Sequence, residues 1–183
     1  MTTTPDTSRP MRPKAAGGSI DAAIDAAKRG YLTETFRIFR LKEPVTAPIP
    51  FHYHDFHKIL LFINGQSDYA IEGKTWRLSP HDIVFVRAGE IHRPLPLLGK
   101  PYERIVIYVA PECLARYRCG DDDLSACFSP DQRPSHVMRL TAGKTHDLLF
   151  HMEKLERTAG SSGFANALYT EMLFVEFMLL LNR

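Results

Sequence analysis

The chain has 183 residues, of which 44% are hydrophobic and 24% charged, enough apolar material for one core without disulfides or a structural metal as staples. Lys and Arg total 23 against 21 Asp and Glu, a formal net charge of +2, which excludes a chain that binds nucleic acid mainly by bulk charge. Cys113, Cys119 and Cys127 are odd in number and have no Cys-x-x-Cys or His pair beside them, so they read as free thiols in a reducing compartment rather than a zinc site.

Residues 1–18 carry almost nothing to bury and no apolar signal segment, so they are expected to form a disordered tail. Ser19 reads as the cap of a short helix with Ile20, Ala23, Ile24 and Ala27 on one face and Gly30 as its stop. From Thr35 the pattern turns to strands. His52 to Ile63 is a β-prone run ending at Asn64-Gly65, which predicts a hairpin returning through Ser67–Ile71. Glu72-Gly73-Lys74 and Ser79-Pro80-His81-Asp82 predict tight turns around short strands at Trp76–Leu78 and Ile83–Val86. Ala88-Gly89-Glu90 bends the chain into Ile91-His92, and YERIVIYV from Tyr102 to Val109 is the clearest alternating strand. Many short strands at this spacing predict a small antiparallel barrel or sandwich over 19–140.

The period then changes. Pro111 to Tyr117 reads as a helical turn and Val137–Leu140 as one more strand. Thr145 is expected to cap a helix through Arg157, and a Gly-Ser-Ser-Gly link leads to a last helix over 164–182, packed antiparallel on it. Residues 141–183 thus form a helical pair. The stretch Phe164–Leu181 is apolar enough to suggest a membrane span, but Glu171 and Glu176 would each cost about 2.5–3.5 kcal/mol there. A soluble, cytoplasmic protein is expected. Leu168, Met172, Val175 and Leu179 make one stripe of that helix, and Leu173, Phe177 and Leu180 a second. A helix apolar on two faces has two things to touch: its own barrel and, through the first stripe, a partner subunit.

The segment His52-Tyr53-His54-Asp55-Phe56-His57-Lys58 carries the chemistry. In a strand, His52 and His54 project to one side and His57 to the other. Two imidazoles with His92 at a distant strand end could hold a divalent metal, line a polar pocket for an organic ligand, or bond within the core. Tyr69 and Trp76 lie on successive strands where they could stack on a ligand, although core packing is the commoner use. Arg104 reads as a rim ion pair, and Asp55 and Asp82 as turn residues.

HYHDFHKILLFINGQSDYAIEGKTWRLSPHDIVFVRAGEIHRP resembles the paired motifs of the cupin superfamily, and PYERIVIYVAPECL with the paired terminal helices resembles the N-terminal sensing domain of AraC-type transcription regulators. The likeness spans about residues 31–183. It implies a mainly β fold, a cupin (double-stranded β-helix, jelly-roll) barrel followed by an antiparallel helix pair. It also implies a regulatory rather than catalytic domain, with no cofactor required. A small polar or anionic effector would bind at His52, His54, Lys58, Tyr69, Trp76 and His92. A homodimer would form through Leu168, Met172, Val175 and Leu179, with DNA contact only through a C-terminal helix-turn-helix part absent from these residues. His52, His54 and His92 match the imidazole ligands of metal-binding cupins. At the usual carboxylate ligand stands Lys58, which would repel a divalent cation; His81 replaces a usual Gly and Arg87 a common Pro. The alternative is a stand-alone metal-dependent cupin enzyme of dioxygenase or isomerase type.

Overall fold

A computed structural model describes residues 28–183. The tail expected over 1–18 and the helix expected from Ser19, apart from its closing Gly30, lie outside the described residues.

The chain forms strands β1 (Phe36–Leu41), β2 (His57–Gly65), β3 (Ser67–Ile71), β4 (Lys74–Arg77), β5 (Ile83–Val86), β6 (His92–Pro96), β7 (Tyr102–Val109) and β8 (Val137–Met138). Helices α1 (Pro111–Ala115), α2 (Ala142–Ala159) and α3 (Asn166–Asn182) follow β7, with a 3-10 turn at Leu124–Phe128. The strands make two antiparallel sheets, in the orders β1-β7-β2-β5-β8 and β4-β3-β6. This is the cupin barrel with C-terminal helices that the sequence motifs imply.

Alternation along β2 sorts its side chains between two chambers. Leu60 and Phe62 point into the barrel, where they meet Tyr69, Ile71, Val84, Val86, Tyr102 and Val106. Ile59 and Leu61 point outward and are covered by α2 and α3 through Leu148, Met152, Leu155, Phe174 and Phe177. A strand buried on both faces reads as a near-continuous apolar run, as KILLFI does.

The two-residue turn at Asn64-Gly65 does not close a hairpin. The neighbours of β2 are β7 and β5, and those of β3 are β4 and β6, so the turn carries the chain from one sheet to the other. Gly65 is needed for that crossing: its φ is +122°, and a Cβ there would lie 2.2 Å from the Pro101 carbonyl oxygen. The β-prone run also enters its strand only at His57. Before it, the backbone divides its bonds among three partners: Tyr53 O accepts from Arg29 N, His54 O accepts from Gly89 N, and His52 exchanges both bonds with His92.

Other turns form as their residues require. Glu72 and Gly73 both take positive φ (47° and 75°), as a tight β3–β4 hairpin demands. His81 has φ +73°, so the side chain that replaces the family's Gly still occupies a left-handed position. The strand expected over Val137–Leu140 pairs only at Val137 and Met138, against β5. Helix α2 is capped at Thr141 rather than Thr145; Thr145 sits in the first turn and its hydroxyl donates to the Thr141 carbonyl at 2.8 Å. The two long helices run antiparallel, with Asn166 Nδ2 donating to Thr158 O at 3.0 Å and Lys144 Nζ donating to the Arg183 carbonyl at 3.4 Å. Among the described residues no helix is long and apolar enough to cross a membrane.

Candidate functional site

The bridge between His52 and His92 brings the irregular 52–56 segment beside the start of β6, and three imidazoles meet there. Ring centroids lie 4.4 Å apart for His52–His92 and 5.0 Å for His52–His54 and for His54–His92. All three are buried. Each Nδ1 faces a backbone carbonyl: Pro50 for His52, Arg29 for His54 and Glu90 for His92. A carbonyl only accepts, so each Nδ1 carries the proton and each Nε2 keeps a bare lone pair. The Nε2 atoms of His54 and His92 are buried with no partner. Burial holds His54 down at about 4 and His92 at about 2, with backbone bonds and the Lys58 charge acting in smaller measure; His52 is lowered for the same first reason.

This donor set fits a divalent cation in part. One ligand atom from each of His52, His54 and His92 lies within 4.8 Å of the others, and imidazoles oriented by a second hydrogen bond are a common metal edge. The fourth family position brings no anion, because Lys58 occupies it.

Lys58 opens the inward face of β2 and is buried, with 7% of its surface exposed. Among the described residues no carboxylate lies within ion-pair distance of its ammonium, which sits 5.6 Å from the centre of the Tyr69 ring. Burial, with a smaller push from Arg104, brings its pKa down to about 7. Tyr69 is parallel to His92 at 6.1 Å, so histidines, tyrosine and lysine follow one another along the inside of the barrel. The hydroxyls of Tyr69 and Tyr102 are buried there without a partner. Trp76, paired across strands with Tyr69, is half-buried against the inner cluster, its ring 5.2 Å from His136.

Arg104 corrects the rim expectation. The outward neighbour Glu103 takes the ion pair, with Arg40 at 2.6 Å. Arg104 shares the inward face with Tyr102, stacking over its ring at 4.2 Å and donating to its carbonyl. Period two had separated Glu103 from Arg104 but could not say which of them faced in. Asp82 accepts from Ser79 N at 2.8 Å, as a turn residue does, whereas Asp55 pairs with Lys28 at 2.7 Å.

A second polar cluster had no signal in the sequence. Arg87 donates to Glu90 at 2.8 Å, to the Phe128 carbonyl and to the Arg133 carbonyl, and Glu90 also meets His136 at 2.9 Å. Burial raises the Glu90 carboxyl, but the bonds from His136 and Arg87 outweigh it and hold the group at about 2. Arg133 in turn donates to the Leu181 carbonyl at 3.2 Å, so the loop that carries Arg133 is tied to the end of α3.

On α3 the second predicted stripe splits: Leu173 and Phe177 are buried in the outer core, and Leu180 is half-buried beside it. Leu168, Met172 and Leu179 stay exposed and Val175 half-buried on the other face, flanked by Glu171, Glu176 and Tyr117. Cys113 and Cys127 are buried, Cys119 is exposed, and all three are free.

Barrel, inward polar groups and helical flank together define a cupin-type domain. A family model described as AraC-like ligand binding domain matches residues 45–177. The chain belongs to that family. It is similar to the HTH-type transcriptional activator RhaS of Enterobacter sp. (strain 638), 26% identical over 146 residues, covering 75% of this chain and 48% of that protein. RhaS of Shigella sonnei (strain Ss046) is 26% identical over 143 residues with the same coverage. The chain spans about half the length of these relatives. Among solved structures, a cupin protein from Bacteroides fragilis aligns with TM-score 0.40 at 19% identity, covering 49% of this chain and 77% of that one. A cupin-like protein from Thermotoga maritima aligns with TM-score 0.38 at 19% identity, covering 43% and 60%.

Proposed function

We propose that this chain is the effector-sensing and dimerising part of an AraC-type bacterial transcription regulator, working in the cytoplasm and catalysing no reaction. The observation that carries the reading is the inside of the barrel, where the buried Nε2 atoms of His54 and His92 and the hydroxyls of Tyr69 and Tyr102 lack partners and, among the described residues, no carboxylate lies within ion-pair distance of Lys58. Each such group costs stability in the empty protein and is repaid when a ligand supplies the missing bond. The outward face of α3 is the dimer surface, and DNA contact belongs to a part of the regulator outside the present residues. A broad panel of small metabolites should contain at least one compound that raises the melting temperature of the domain in proportion to the logarithm of its concentration. A flat response across the panel would count against sensing.

A second reading, a metal-dependent cupin enzyme, is favoured by the convergence of His52, His54 and His92 within 4.8 Å. It requires tightly held metal at one per chain that is lost in His52→Ala. Lys58 weighs against it, because an ammonium at the fourth position opposes the cation.

A further inference from the structure

We propose that the barrel takes a hydroxy acid, its carboxylate lying against the Lys58 ammonium and its hydroxyls donating to the bare Nε2 atoms of the histidine cluster. This rests on the sensor reading and names the ligand class for it.

Three observations narrow the chemistry. The first is charge. The inside of the barrel faces two cations, Lys58 and Arg104; Glu43 acts on Arg104, while Glu103 is engaged with Arg40 and Glu90 with Arg87 and His136, so none of these carboxylates pairs with Lys58. A buried ammonium without a counter-ion is costly, and a ligand carboxylate would supply both the charge and the acceptors its three N–H groups need. The second is donor polarity. With Nδ1 of His52, His54 and His92 held by carbonyls, the Nε2 atoms can only accept. A carboxylate cannot satisfy them, because it is also an acceptor, whereas a hydroxyl can. The third is contiguity. Tyr69 lies against His92 on one side and beneath Lys58 on the other, so a short ligand spans both, and its orphaned hydroxyl is free to bond either end. A plain fatty acid would leave the imidazoles unbonded, and a neutral polyol would leave the ammonium unpaired.

The test uses the domain freed of metal with EDTA, and matched pairs of hydroxy acid and polyol: glycerate with glycerol, and gluconate with glucitol. Thermal shift and calorimetry are read on the wild type and on Lys58→Met, which keeps the stem and drops the charge. The acids should stabilise the wild type while the polyols of equal length bind about 100-fold more weakly, and Lys58→Met should erase that difference. Without ligand, Lys58→Met should melt about 5 °C higher, since an unpaired buried charge is gone. A lower melting temperature in the empty variant would give Lys58 a structural role and overturn the proposal, leaving the sensor reading intact. Equal response to acid and polyol, no response to either acid, or binding only after zinc is added would each overturn it as well. Failure of the sensor reading itself shows differently, as a flat response across the broad metabolite panel.

Discussion

The two faces of β2 open onto chambers of opposite character. Outward, Ile59 and Leu61 join Phe174, Phe177, Met152 and Leu155 in a cluster built of apolar and thiol side chains, including a Phe36–Phe174 stack with centroids 4.1 Å apart. Inward, one residue before Ile59, the same strand presents Lys58 to tyrosine hydroxyls and imidazole nitrogens that have no partner. The outer chamber is packed for stability; the inner one leaves hydrogen-bonding capacity unused, which the proposed sensor role would assign to a ligand. Substitutions outside should therefore change how well the protein folds, and those inside what it holds.

The sharpest way to break the outer chamber is Phe174→Ala. It removes a fully buried ring and with it the stack on Phe36, and should cost about 3–5 kcal/mol in urea unfolding while ligand affinity per folded molecule stays unchanged. A loss below 1 kcal/mol would mean that the helices are not the main support of the barrel. A gentler probe is His57, on the outward face, stacked on Phe128 and accepting from Ala88 N. Burial, opposed by Glu90 and reinforced by Arg87, lowers its pKa to about 4. Because the folded value lies below the ordinary 6.5, the contribution is complete above pH 6.5 and is lost as pH falls toward 4. His57→Gln should flatten acid destabilisation in that window by on the order of 2 kcal/mol, read from urea midpoints at each pH. The smallest effect on folding is expected for Leu168→Asp. The residue is 61% exposed, so monomer stability should move by no more than about 0.5 kcal/mol, yet sedimentation should shift from dimer to monomer. An unchanged sedimentation coefficient would remove α3 from the dimer interface.

Much of the barrel was legible because turn chemistry is local. Glu72-Gly73 needs two positive φ values and has them, and YERIVIYV alternates with its apolar residues on defined faces. What failed was what lies far apart in the chain. Asn64-Gly65 announces a sharp turn, but whether the returning strand pairs with its predecessor or crosses to the other sheet depends on β6 and β7, which begin 27 and 37 residues after Gly65. In the site, His52, His54, His92, Lys58 and Tyr69 do come together. Period two groups residues by side but does not assign the side, so Arg104 was placed on the rim while Glu103 was the residue facing out. The Arg87–Glu90–His136 cluster joins positions 49 apart through a loop with no periodic pattern, and nothing local marks it.

The depth of the histidines sets a tempo as well as a chemistry. His92 keeps 0% of its surface exposed, His54 5% and Lys58 7%, so no wide mouth leads to them. On the proposed sensor reading the wall would have to part first, and capture would be limited by how often it parts rather than by how often molecules collide. Association should be slower than the roughly 10⁵–10⁷ per molar per second of an open docking event, and it should level off as ligand concentration rises. Release passes the same gate. A sensor built this way would average over brief fluctuations in its surroundings and answer only to a supply that lasts.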